Sequence, residues 1–222
     1  MASATSYYNR GLMHQNAGRY KEAVADYTSA IALDASMASA YCNRGLAYHD
    51  LEQYDKALAD YDRAIALNPS LALTHFNRAT TYETLGRSPE ALTDYTRAIE
   101  LDPTDAQAYY NRGNIQRQRG ALEEALRDYS QAISLEPTMT RAYTNRAGTY
   151  NQLERYDESL RDLHAVVRID PGDSYAIGDI GSVLANLGRL REALPFFEAA
   201  VKLGNPDAQR ALTQARRMLG LD

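Results

Sequence analysis

The chain contains one cysteine, no tryptophan and only three phenylalanines among 222 residues. A single thiol, Cys42, excludes an internal disulfide framework and fits a reducing compartment. Excess positive charge is also missing. With 24 Lys and Arg against 29 Asp and Glu, the net charge of −5 and a pI near 5.4 lack the basic footprint of a nucleic-acid binder. No apolar run is long enough to span a membrane, and no basic segment with an apolar stretch behind it opens the chain. The expectation is a cytoplasmic protein with neither nucleic acid nor membrane as partner.

Catalytic patterns are absent too. The four histidines, His14, His49, His75 and His164, fall at four different helical phases, so no metal-ligand spacing emerges. Cys42 has no accompanying histidine pattern, and the glycines sit at helix ends or helix contacts rather than in a phosphate loop. The sequence therefore predicts no enzyme, no cofactor and no metal.

What the chain has is tyrosine, seventeen residues of it, in a strict 34-residue period. The phrase Tyr-x-Asn-Arg-Gly/Ala recurs at Tyr7, Tyr41, Tyr109 and Tyr143, with His75 in the third copy. Twenty positions later come Tyr27, Tyr61, Tyr95, Tyr129 and then Leu163. A fixed period of this size means stacked units, each burying its apolar face against its neighbours. The copies span 4–37, 38–71, 72–105, 106–139, 140–173 and 174–207, with 208–222 as a C-terminal capping helix carrying Arg210, Arg216 and Arg217. Each copy reads as two helices. Gly18, Gly86, Gly120 and Gly188 suit the left-handed turn between them, where copies two and five have Glu52 and Glu154. Pro69, Pro103, Pro137 and Pro171 end the second helix. Ser88-Pro89 reads as an N-cap with proline in the first helical position, and Pro195 should bend the last second helix or shift its start.

The series Tyr41, Gly45, Tyr48, Tyr54, Ala57, Tyr61, Ala64 and Pro69 resembles the tetratricopeptide repeat (TPR), and the resemblance covers about nine-tenths of the chain. It implies an all-α fold: a right-handed superhelical α-solenoid of helix-turn-helix repeats whose first helices (A) line a concave, ligand-holding face. On a helical wheel, repeat positions 2, 5, 6, 9, 12 and 13 form the stripe of helix A not committed to packing. Fourteen tyrosines fall at packing positions. Tyr8, Tyr110 and Tyr175 fall on the free stripe with Phe76, as expected of partner anchors. Asn9, Asn43, Asn77, Asn111 and Asn145 form a row at position 6, ended by Asp179. Such amides either read a peptide backbone or pair within the protein. Asn114 lies on the same stripe, as does Cys42.

Position 7 carries Arg10, Arg44, Arg78, Arg112 and Arg146, and position 23 carries Asp26, Asp60, Asp94, Asp128 and Asp162. The sixth copy loses both, having Ile180 and Phe196. Charges that come and go together indicate structural ion pairs. Position 5 has no lysine in any copy, unlike the co-chaperone repeats that clamp an acidic C-terminal carboxylate, so the expected partner is another kind of protein or peptide segment. The functional expectation is a protein–protein interaction scaffold or adaptor with a groove formed by Tyr8, Asn9, Asn43, Phe76, Asn77, Tyr110, Asn111, Asn114 and Asn145. Two alternatives are a homo-oligomer assembled through the solenoid ends and a targeting subunit for an enzyme encoded elsewhere.

Overall fold

The computed structural model describes residues 3–221. Among them are thirteen α-helices and no strand: α1 (Ala4–Asn16), α2 (Tyr20–Leu33), α3 (Ala38–Asp50), α4 (Tyr54–Leu67), α5 (Ala72–Thr84), α6 (Ser88–Leu101), α7 (Ala106–Gln118), α8 (Leu122–Leu135), α9 (Thr140–Gln152), α10 (Tyr156–Ile169), α11 (Ser174–Asn186), α12 (Leu190–Lys202) and α13 (Pro206–Met218). Odd-numbered helices are the A helices of the repeats and even-numbered ones the B helices. The chain divides into two compact units, one ending at Ala108 and one beginning at Tyr109.

In the first unit α1, α3 and α5 pack on their own B helices, and α2 and α4 pack on the A helix that follows. The same order holds in the second unit from α8 to α12, and α13 closes it against α12 and α11. An alternation of this kind is an all-α solenoid of helical repeats, built entirely from neighbour contacts.

The turn between the helices of a repeat requires one left-handed residue. Gly18 has φ 69°, and Glu52 and Glu154 adopt the same conformation at 59° and 57°. Around Gly18, Arg19 N–H donates to the His14 carbonyl and Gly18 N–H to the Gln15 carbonyl, each at 2.9 Å, which satisfies the open carbonyls of the helix end. At the far end of the B helices the residue before proline is extended, as at Asn68 with φ −144° and ψ 91°.

Within the first four repeats the helices meet on alanine and tyrosine. Ala23, Ala57, Ala91 and Ala125 of the B helices are fully buried, as are Tyr27, Tyr61, Tyr95 and Tyr129. Close approach demands a small partner: a Cβ on Gly45 would lie 2.7 Å from the Tyr61 ring. In the fifth and sixth repeats Leu163 and Phe197 stand in place of the tyrosine, in one core with Val166, Ile180 and Val183.

Three sequence-based expectations change in detail. Arg87, not Ser88, is the N-cap of α6, and Ser88 and Pro89 are its first two residues. Helix α12 runs through Pro195 from the same start, one period after α10, but ends one residue earlier in its repeat at Lys202. The final helix begins at Pro206 rather than Ala208, because Asn205 accepts from the N–H groups of Asp207 and Ala208.

Candidate interaction face

The position-7 arginines form five fork-to-fork pairs. Arg44 Nε donates to Asp60 at 2.7 Å and its Nη2 at 2.8 Å, and Arg78 meets Asp94 at 2.6 and 2.8 Å. Arg112 with Asp128 and Arg146 with Asp162 repeat the arrangement, as does Arg10 with Asp26. Bidentate geometry satisfies both carboxylate oxygens, which a buried charge requires. The sequence did not reveal where the remaining donor goes. Arg44 Nη1 donates to Thr28, Arg78 to Asp62 and Arg146 to Ser130, each acceptor lying on the B helix of the preceding repeat. These arginines therefore bolt one repeat to the previous one. The guanidinium groups of Arg10, Arg44, Arg112 and Arg146 also lie over the position-4 rings of Tyr7, Tyr41, Tyr109 and Tyr143, at 5.2 to 5.7 Å from their centroids. His75 replaces that tyrosine by bridging Asp94 and the Pro69 carbonyl, each at 3.3 Å.

The position-5 rings are half-buried. Tyr8 packs on Tyr27 with centroids 5.8 Å apart, Phe76 on Tyr95 at 5.6 Å and Tyr110 on Tyr129 at 6.1 Å. The Arg141 guanidinium covers Tyr110 at 4.9 Å. Tyr175 alone among the four expected anchors is largely exposed, at 61 %.

The amide row is tied to these rings. Asn43 Nδ2 donates to Tyr8 Oη at 2.9 Å, and Asn145 Nδ2 to Tyr110 Oη at 3.1 Å and to Asn114 Oδ1 at 2.8 Å. Asn114 Oδ1 also accepts from Tyr129 Oη. Asn77 is buried and donates to Cys42 Sγ at 3.8 Å. Asn9 is exposed and Asn111 half-buried. Thus position 6 of one repeat meets position 5 of the repeat before it.

Cys42 departs from its expected place on the free stripe, because it is 1 % exposed. The wheel treats helix A alone, whereas α3 and α5 touch and close over position 5. Burial pushes the Cys42 thiol up from its ordinary pKa, the opposite of what activates a nucleophile.

Models of the tetratricopeptide repeat match residues 38–71 and 106–139, others of the same kind 16–52, 84–116 and 60–93, and a further one 144–208. Together they span 16–139 and 144–208, with the left-handed turn of each of the six repeats and the Gly45–Tyr61 contact inside them. The chain is a tetratricopeptide-repeat protein. Repeats of this family mediate protein–protein interaction, and the family is typically a non-enzymatic scaffold. The TPR chain is similar in fold to YrrB, "a TPR protein with an unusual peptide-binding site", at 23 % identity over 83 % of this chain and 96 % of that one, TM-score 0.76. It is also similar to the C-terminal part of a TPR repeat-containing protein from Cytophaga hutchinsonii (16 % identity, 90 % and 80 % covered, TM-score 0.78). A TPR protein from Parabacteroides merdae aligns at 19 % identity, with 98 % and 87 % covered and TM-score 0.72. No curated protein shows significant similarity in sequence. Among the described residues no helix is long and apolar enough to cross a membrane.

Proposed function

We propose that this TPR protein is an adaptor that holds a segment of a partner protein against the A-helix faces of its repeats. The supporting observation is that Tyr8, Phe76 and Tyr110 are half-exposed rings already locked in place. Each leans on a buried tyrosine, and the two hydroxyl-bearing rings are held by the amide of the next repeat. A ring fixed before binding loses little rotamer freedom on binding, so more of its contact energy appears as affinity.

The same bonds divide the work of the asparagines. Asn43 and Asn145 spend their N–H groups inside the protein, and among the described residues their Oδ1 atoms make no hydrogen bond. Those carbonyls are acceptors for the N–H groups of an extended segment. Asn77 and Asn114 are positioning residues in this reading, and Asn9 is an exposed contact. The peptide-binding site named for YrrB fits the proposal as a neighbour's property.

The test is selection of peptides from a random displayed library on the whole protein, followed by calorimetry on a Tyr8→Ala, Phe76→Ala, Tyr110→Ala variant. Loss of affinity by about tenfold or more with an unchanged helical spectrum is expected, a change of about 1.4 kcal/mol. Equal affinity in wild type and variant overturns the assignment.

A further inference from the structure

The fifth repeat lacks a pair of rings. Copies one, three and four each stack a position-5 aromatic on a position-24 tyrosine: Tyr8 on Tyr27, Phe76 on Tyr95, Tyr110 on Tyr129. Copy two keeps the buried Tyr61, and copy six keeps Phe197 against Gly181. In copy five the two positions are Thr144 and Leu163, and position 9 is Gly148. Outside its own helix's backbone and chain neighbours, no heavy atom comes nearer than 3.9 Å to a Cβ built on Gly148.

The missing rings leave a cavity of about 230 Å³ between α9, α10 and α11, lined by Thr144, Gly148, Asn151, Ser159, Leu163 and Asp179 among others. An apolar cavity of about 150 Å³ suffices to hold benzene, so there is room for a six-membered ring and its substituent. Three features of the lining fit a phenol rather than a plain hydrocarbon. Ser159 stands where the other copies have alanine, is 1 % exposed, and its Oγ has no hydrogen-bond partner. Asn151 occupies position 12, from which Gln15 and Glu83 accept the Tyr27 and Tyr95 hydroxyls at 2.7 and 2.8 Å. Asp179 is exposed and replaces the asparagine whose amide, in Asn43 and Asn145, donates to a tyrosine oxygen. A carboxylate cannot donate. It accepts, and a phenolic O–H is the complementary donor.

We infer that this cavity is a side-chain subsite that takes a tyrosine of the bound partner, seated where the repeat's own aromatic pair is missing. The inference rests on the adaptor reading but is tested apart from it, because Tyr8, Phe76 and Tyr110 do not line this cavity. An unmodified phenol is the species recognised; a phosphate on the ring would meet the Asp179 carboxylate.

The experiment is titration of the whole ¹⁵N-labelled protein with 4-methylphenol, toluene and n-butylammonium, following the Gly148 and Ser182 amides by NMR. Saturable shifts with 4-methylphenol are expected, with toluene and n-butylammonium each weaker. Leu163→Tyr should refill the cavity and raise the Kd for 4-methylphenol by at least about tenfold. Copy three shows that such a tyrosine fits beside alanine at position 8, since Ala79 and Tyr95 are both fully buried. Asp179→Ala should reduce the preference for 4-methylphenol over toluene. Absence of saturable shifts, undiminished binding in Leu163→Tyr, or tighter binding of n-butylammonium overturns the proposal. Should Leu163→Tyr fail to fold, Asp179→Ala decides: an unchanged preference for the phenol overturns it, and a lost preference supports it. Failure here with peptide binding retained removes the subsite and leaves the adaptor. Phenol binding without peptide binding removes the adaptor and leaves a small-molecule pocket.

Discussion

Tyr61 and Tyr95 occupy the same position of consecutive repeats and are equally buried, yet their hydroxyls have different surroundings. Tyr95 Oη donates to Glu83 at 2.8 Å and lies 3.1 Å from Thr80 Oγ1. Tyr61 Oη has no hydrogen-bond partner, because His49, at the matching position, bonds Thr81 instead. An unpaired buried hydroxyl has already paid its desolvation cost, so removing it releases that cost. Urea denaturation should therefore find Tyr61→Phe neutral or stabilising, and Tyr95→Phe destabilising by about 1.5 kcal/mol, the value of a hydrogen bond to a charged group. Equal losses in both variants would show that the tyrosine hydroxyls contribute alike in every repeat.

At the scale of the helix and its turn, two repeats are built against local preference. Glu52 and Glu154 hold left-handed backbone with φ of 59° and 57°, where the equivalent residues in the other four copies are glycines. An L-residue with a side chain pays roughly 1–2 kcal/mol for that conformation, offset in part by glycine's greater freedom when unfolded. Glu52→Gly and Glu154→Gly should each raise stability by about 0.5–1 kcal/mol, read as a higher thermal midpoint. A lower midpoint in both would mean that the glutamate side chains make compensating contacts. These elements were readable in advance because a 34-residue period repeats every helix, turn and proline, so six weak local signals reinforce one another. The interaction face was less so. Helical angle alone left position 5 free, but Cys42 is buried where α3 and α5 meet, and Tyr8, Phe76 and Tyr110 are half-buried against the tyrosines of their own B helices. The third donor of the arginines was also invisible, since it reaches across 16 residues into another repeat. The cavity of copy five did leave a trace, in the leucine that breaks the tyrosine series at residue 163.

Over the whole molecule the ion pairs add a dependence on pH. The Arg10 guanidinium, through its hydrogen bonds, holds the Asp26 carboxyl below the ordinary carboxylate value. At Asp94 burial pushes the pKa up, but the bonds from Arg78 and His75 outweigh it and leave the carboxyl depressed. A carboxyl depressed in the folded state binds its proton more readily when unfolded. Its contribution is complete above the unfolded value of about 4 and is lost as pH falls through the folded value. Stability should thus be flat from neutral pH to about 5 and fall steeply below about 4. Asp94→Asn should flatten that slope while lowering stability at pH 7, since it leaves the largely buried Arg78 without its main counter-charge. A slope unchanged by Asp94→Asn would place the acid sensitivity in other carboxyls.

The arginine that joins the second, third and fifth repeats each to the one before it bears on how such a chain lengthens. Its acceptor is a threonine at Thr28, an aspartate at Asp62 and a serine at Ser130, three residues that can all receive an N–H. If the second and third copies exchanged places in the gene, Arg78 would meet Thr28 and Arg44 would meet Thr96, the third copy's residue at that place, and no buried charge would be stranded, since each arginine keeps the aspartate of its own repeat. The seam is indifferent to order. Tandem duplication or shuffling of these units is therefore tolerated at the one contact where a mismatch would cost most, whereas the sixth unit, with Ile180 in place of arginine, belongs only next to the end.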